Sequence, residues 1–311
     1  MKSILKKLFQ LLGFELRRYK NRPLTEMPIA QQKLKTVHVG NFKLLANETH
    51  SIENHLKQHV EYSSNLPRIA AALSFKWADF NIIDIGANIG DTVALLRSAE
   101  VKNAIFCIEP VSDYFDLLKK NASQFSNIKL FNLWLDEFEK YNSLNKNSPL
   151  SIEVKNGTAR LHNTLGKNHI VETSTLDKFV ENQGLSNIKL LKIDTDGFDL
   201  KILRGGMNFI KQQKPVLFFE YDAVYLADND ENGWQTLAFL RDNADYDQAL
   251  YYDNYGRFLC SFSLKNERQA HQFLRYIQGY RGAFPYFDVC LFHSNDGDLA
   301  ERIIQEEEKR P

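Results

Sequence analysis

From residue 79 onward, short apolar runs alternate with stretches in which apolar residues recur every three or four positions. The runs read as strands and the longer periodic stretches as helices. Strands are predicted at 81–85, 104–108, 128–133, 189–193, 216–220, 248–252, 257–262 and 287–292. Two weaker ones fall near 150–154 and 169–172. Helices are predicted at 91–98, 112–124, 175–183, 200–211, 233–243 and 266–278. Such alternation argues for an α/β fold with a parallel sheet covered on both faces. The two late runs around DNYG (253–256) allow an antiparallel pair at one edge. The closing QEEEKRP reads as a frayed helix end.

The pattern before residue 79 differs. TVHVGNFKLLA has two short strand-like runs around Gly40-Asn41, which fits a tight hairpin. Helical stretches follow from about Ser51 and over about 67–76. At the very start, Ile4, Leu5, Leu8, Leu11 and Leu12 form an apolar stripe among Lys2, Lys6, Lys7, Arg17 and Arg18. This is a basic amphipathic helix, suited either to an anionic membrane surface or to docking on protein. The organisation expected is a helix and linker at 1–35, an accessory segment at 36–78 and a main domain at 79–311.

Of 311 residues, 43% are apolar and 25% charged, the balance of a globular protein. The formal net charge of +0 implies no extended basic surface, so no nucleic-acid partner is expected. Cys107, Cys260 and Cys290 are isolated, with no C-x-x-C pair to suggest zinc or redox chemistry. A cytoplasmic protein is expected, with possible peripheral contact at the inner membrane face through residues 1–22. No small-residue cleavage site follows the first helix.

Candidate chemistry concentrates at the ends of the strand runs. FNIIDIGANIG places Asp84 at the end of a strand, then a turn through Gly86, Asn88 and Gly90 that opens a helix. A second strand ends in Glu109. This is the layout of a nucleotide-type pocket at the carboxyl edge of a parallel sheet. The D-x-G-x-N-x-G spacing favours S-adenosylmethionine over a dinucleotide, whose pyrophosphate needs the closer G-x-G approach. Asp84 is expected to reach the ligand's ammonium directly or through water, Glu109 the ribose hydroxyls, and Asp136 the adenine amino group. Further on, LLKIDTDGFDLKILRGG ends a strand in Asp194 and Asp196, and PVLFFEYD ends one in Glu220. Asp196 also suits a cap on the helix that follows. Asp194, Asp196 and Glu220 could hold a divalent metal, but no spacing demands one, and no metal is expected. His55 and His59 stand at i, i+4 among polar neighbours, which reads as a solvated helix face.

Taken together, IIDIGANIGDT, CIEPVSDYFDLLKKN, TSTLDKF, LLKIDTDGFDLKILRGG and VLFFE resemble the FkbM family of S-adenosylmethionine-dependent methyltransferases. The resemblance covers about residues 80–221. It implies a Rossmann-like, doubly wound, mostly parallel seven-stranded sheet. It implies that Asp84, Gly86, Asn88, Gly90 and Glu109 bind the cofactor; with the adjacent Ala87, Asp91 and Pro110, and Asp136 from the strand end, these make up the expected cofactor set. Asp194 and Glu220 are the candidates for base or substrate positioning, with His162 and His169 as alternatives. The chain has Asp196-Gly197 where the family usually has Glu-Gly, a carboxylate one methylene shorter. The stretch 136–168 departs from the family pattern and is expected to shape the acceptor site. The implied reaction is O-methylation of a saccharide, glycan or secondary metabolite hydroxyl. The competing reading is a non-catalytic partner subunit in a glycan-assembly complex.

Overall fold

A computed structural model of the chain describes residues 33–59, 61–139, 150–155, 158–163, 172–222, 233–279 and 286–310. The N-terminal stripe and His169 lie outside them. Among the described residues no helix is long and apolar enough to cross a membrane.

The centre of the molecule is an eight-stranded sheet. Its strands are β3 (Asn81–Ile85), β4 (Ala104–Ile108), β5 (Ile128–Phe131), β10 (Ile188–Ile193), β11 (Val216–Tyr221), β12 (Tyr246–Asp253), β13 (Phe258–Ser263) and β14 (Phe287–His293). They run in the order β13-β12-β14-β11-β10-β3-β4-β5. The five from β5 to β11 are parallel, while β14, β12 and β13 join by antiparallel ladders. The expected seven strands become eight because the run after DNYG folds back on β12 and adds β13 at the edge.

The chain leaves β3 toward β4 and β5, then returns to the other side of β3 as β10. That reversal opens a crevice at the carboxyl ends of β3 and β10. Alternating residues of each strand feed two cores. Ile83, Ile85, Leu191 and Ile193 pack toward α5 (Leu176–Asn182), α6 (Asp199–Gly205) and α7 (Met207–Gln213). Ile82 and Leu190 pack toward α2 (Asn65–Leu73), α3 (Asp91–Ser98), α4 (Ser112–Ala122) and α10 (Gly297–Glu307).

Three elements depart from the sequence reading. The helix expected over 200–211 is two helices, α6 and α7, parted at Gly206. A Cβ on Gly205 would lie 2.5 Å from the Asp136 carbonyl, and one on Gly206 would lie 2.7 Å from Leu176. The glycine pair therefore serves close packing, and the helix breaks there. Just past the strand predicted at 128–133, Trp134–Leu135 forms a separate strand, β6, paired with β9 (Thr173–Ser174). The insert holds a hairpin, β7 (Leu150–Lys155) with β8 (Thr158–Asn163), of which only the first strand is predicted.

The N-terminal hairpin forms as expected: β1 (Leu34–Val39) pairs with β2 (Phe42–Asn47) through Gly40-Asn41. Asn121 on α4 fastens it. Its Oδ1 accepts the Leu45 amide at 2.8 Å, and its Nδ2 donates to the carbonyls of Leu45 and Ile89. Helices α1 (Ile52–Gln58) and α2 follow.

The last helix runs through Glu307, into the stretch expected to fray. Glu307 is buried and accepts from Arg68 Nε at 2.8 Å and from the same guanidinium's second nitrogen at 3.0 Å. Arg68 also donates to the Gly256 carbonyl, so one side chain joins α2, α10 and the β12–β13 turn. Arg68→Met should lower stability by about 2 kcal/mol, read as a lower urea midpoint with unchanged slope. An unchanged midpoint would show that the clamp contributes nothing.

Candidate active site

The crevice is built first by backbone. Gly86, Asn88 and Gly90 all hold positive φ, at 79°, 48° and 91°. At Gly86 any side chain is barred, because a Cβ would lie 1.9 Å from the Asp194 carbonyl. The amides of Gly86 and Ala87 both donate to the Ile108 carbonyl, and the Asp194 amide donates to Ile85. The first turn is thereby wedged between the ends of β4 and β10.

Glu109, at the end of β4, completes the turn. Its Oε2 accepts the Asn88 amide and its Oε1 the Val111 amide, each at 2.8 Å. The carboxyl is 4% exposed, and burial pushes its pKa up to about 7 despite those two bonds. It lines a cavity together with Pro110, Tyr114, Trp134, Leu135 and Phe198.

A larger cavity of about 330 Å³ adjoins it. The two share Gly86, Asn88, Asp194 and Asp196. Asp91, Glu220, Asp222 and Asp288 also line the larger one. Its charge is therefore dominated by carboxyls. Lys192 answers part of it: the ammonium is 3.0 Å from Asp84 and 3.4 Å from Asp194, and donates to the Gly86 carbonyl. The pair with Asp84 follows from register, since Lys192 and Asp84 are direct partners on β10 and β3. Burial opposes the charge on Lys192, but Asp84, Asp194 and Asp91 outweigh it and hold its pKa above the ordinary lysine value.

The remaining wall comes from the N-terminal segment, through His50, His55, Tyr62 and Asn65. His50 Nδ1 accepts the Ile52 amide at 3.2 Å, so its Nε2 carries the proton and donates to Asn88 Oδ1 at 3.1 Å. Burial lowers its pKa and keeps the ring neutral. Burial raises the phenols of Tyr62 and Tyr286, so both remain hydrogen-bond donors.

Of the residues singled out from sequence, Gly86, Asn88, Asp91, Glu109, Pro110, Asp194, Asp196 and Glu220 line one or both cavities. Asp84, Ala87, Gly90 and Asp136 line neither. Asp84 is fully buried, with the Lys192 ammonium at 3.0 Å. Asp136 is buried, and its Oδ1 accepts the Glu137 amide. Asp196 is not the helix cap. It holds φ 52°, and Asp199 Oδ2 instead accepts from the Thr195 hydroxyl and amide and from the Gly197 amide. The helix face of His55 and His59 is not simply solvated, for His59 stacks on Tyr255 at 3.7 Å and His55 leans on Tyr62. Among the described residues no group of three His, Cys, Asp or Glu is placed to hold a metal.

Lys192, His50, Tyr62, Tyr286, Asp222 and Asp288 escaped the sequence reading. Lys192 sits inside LLKID, where a lysine in a buried strand was itself a signal. The others belong to segments whose place beside the crevice depends on tertiary packing.

The FkbM methyltransferase domain model matches residues 84–250. No curated protein matches the chain. Among solved structures, the FkbM methyltransferase of Methylobacillus flagellatus KT is 17% identical with a TM-score of 0.40. That alignment covers 60% of this chain and 43% of that one, so the chain spans less than half of its length. An O-methyltransferase from Bacillus cereus, in complex with S-adenosylhomocysteine, is 10% identical with a TM-score of 0.38, covering 73% of this chain and 80% of that one. The precorrin-6y C5,15-methyltransferase of Geobacter metallireducens GS-15 is 12% identical with a TM-score of 0.35, covering 70% and 80%. The domain match spans more than half of the sequence and coincides with the crevice, and the chain belongs to the FkbM methyltransferase family.

Proposed function

We propose that the protein is an S-adenosylmethionine-dependent O-methyltransferase acting on a hydroxyl of a saccharide, glycan or secondary metabolite. The observation that carries this reading is the meeting of two cavities at Gly86, Asn88, Asp194 and Asp196. One suits the cofactor's nucleoside and the other an acceptor.

The residues present fit that cofactor. Trp134, Leu135, Ile108 and Phe198 offer apolar and aromatic surface to a purine, and Glu109 is the carboxylate for ribose hydroxyls. Glu109 is half engaged by backbone amides, yet each carboxylate oxygen retains a further lone pair. The acids around the junction favour a cationic ligand. The cofactor supplies a methyl group already activated on sulfur, so the protein's task is alignment and proton removal.

Asp194 is the candidate base. It lies on both cavities and its side chain is 52% exposed, so an acceptor hydroxyl can reach it. Taking the proton as the oxygen attacks raises nucleophilicity near neutral pH. Glu220, Tyr62 and Tyr286 are placed to orient the acceptor's other polar groups.

Calorimetric titration with S-adenosylmethionine and, separately, with a nicotinamide dinucleotide tests the cofactor. Selective binding of the first is expected, and binding of the second alone would overturn the reading. Methyl transfer to a saccharide panel, followed by mass spectrometry, tests the reaction. Asp194→Asn should lower kcat by about 10²-fold or more while cofactor affinity changes little. Full activity in that variant would remove Asp194 from proton transfer. Cofactor binding without transfer to any acceptor would favour the partner-subunit reading.

A further inference from the structure

Glu220 on β11 and Asp288 on β14 are direct partners in the antiparallel register. Both line the larger cavity, and neither lines the one beside Glu109. Asp288 accepts from Asn65 Nδ2 at 2.7 Å. Glu220 is part-buried in the cavity wall and, among the described residues, receives no hydrogen bond and no ion pair. Burial, and after it Asp194, Asp196, Asp199 and Asp222, push its carboxyl well up. Burial likewise raises Asp288 to about 7. Lys192 is already committed to Asp84, Asp194 and the Gly86 carbonyl. Two adjacent part-buried carboxyls with no cation of their own repel one another when both are ionised. A ligand bringing positive charge would relieve that repulsion, whereas a phosphate or carboxylate would add to it.

We infer that Glu220 and Asp288 form an ammonium subsite, and that the acceptor carries a protonated amine close to its hydroxyl, as an amino sugar or amino alcohol does. An ammonium has three donors, enough to bridge both carboxylates and keep one for a neighbour. The identity of the ligand as a methyl acceptor rests on the methyltransferase reading. The subsite itself does not.

The test compares 2-amino-1,3-propanediol with glycerol, two small polyols that differ in one ammonium. Each is titrated into the full chain at matched ionic strength, with and without saturating S-adenosylhomocysteine. The amine should bind at least about tenfold more tightly than glycerol. Glu220→Gln should erase that preference and keep cofactor-product affinity. Asp288→Asn should do the same, and it carries the test if the first variant fails to fold. Equal binding of the two polyols, or a preference that survives Glu220→Gln, overturns the subsite. A tenfold loss of S-adenosylhomocysteine affinity in Glu220→Gln, with the preference intact, assigns the pair to the cofactor and also overturns it. Failure of the wild-type chain to bind S-adenosylhomocysteine sinks the methyltransferase reading, and the cofactor-free titration then decides the subsite alone.

Discussion

Lys192→Met should destabilise the protein by about 3–5 kcal/mol, because it strands a carboxylate that no water reaches. Asp84 is 0% exposed and has the Lys192 ammonium at 3.0 Å. The methionine fills the space but leaves Asp84 without its ion pair. Removing both charges should cost less than removing one, so Asp84→Asn in the Lys192→Met background is expected to recover part of the loss. The deficit should also depend on pH. With Lys192 gone, burial lifts the folded-state pKa of Asp84 further above its unfolded value. The folded chain then binds protons more readily than the unfolded one, and stability falls as pH rises through the folded pKa. Urea midpoints at about pH 5 and about pH 8 should therefore diverge more in the variant than in the wild type. Equal losses in the single and double variants would show that the pair is not coupled.

Glu109→Ala should cost about 1–3 kcal/mol of cofactor affinity, some 5- to 150-fold. The side chain acts twice. It is the carboxylate proposed for the ribose, and it holds the amides of Asn88 and Val111 that shape the turn. Glu109→Gln separates the two roles, since its carbonyl still accepts one amide while the charge is gone.

The raised pKa of about 7 gives a signature. For folding, the neutral carboxyl is the favoured buried form. Its contribution is full below about 4.5 and is lost as pH rises through about 7. For binding the sign reverses. Ribose hydroxyls donate to the carboxylate, so the ligand lowers the pKa and releases a proton. Affinity for S-adenosylhomocysteine should climb as pH passes through about 7 and then level off, with proton release seen by calorimetry in buffers of different ionisation enthalpy. Glu109→Gln should flatten that rise. Unchanged affinity in Glu109→Ala would break the assignment of this pocket.

The parallel half of the sheet was legible because its strands are buried on both faces. NIIDI and AIFCI are apolar runs of strand length, and the acids at their ends mark the crevice. The turn was legible because Gly86 and Gly90 meet a steric demand that sequence expresses directly. What sequence hides is direction. Asp84 and Glu109 end equivalent runs, but Asp84 turns toward its register partner Lys192, while Glu109 opens on a cavity. Asp136 was expected at the adenine amino group, yet it is buried and its carboxylate accepts the Glu137 amide. Glycines 205 and 206 offered no local cue to a broken helix, since the contacts that need them are with Asp136 and Leu176, far away in the chain. The wall of the larger cavity was least visible, because His50, Tyr62, Asn65, Tyr286 and Asp288 come from both ends of the described chain and meet only on folding.

That divided wall bears on how such a chain could be re-engineered. His50, His55, Tyr62 and Asn65 precede residue 84, where the family match begins. On the proposed reading, the portable reaction core and the part that chooses what is modified are separate stretches of one polypeptide. A chimera that exchanges residues 33–73 with those of another family member would transplant acceptor choice. The graft must retain Arg68 and Asn65 as its anchors, and His50 as the hinge pin against Asn88. A fragment trimmed to the matched region would keep the nucleoside half and discard both ends of the chain that wall the larger cavity, His50 to Asn65 on one side and Asn254, Tyr286 and Asp288 on the other.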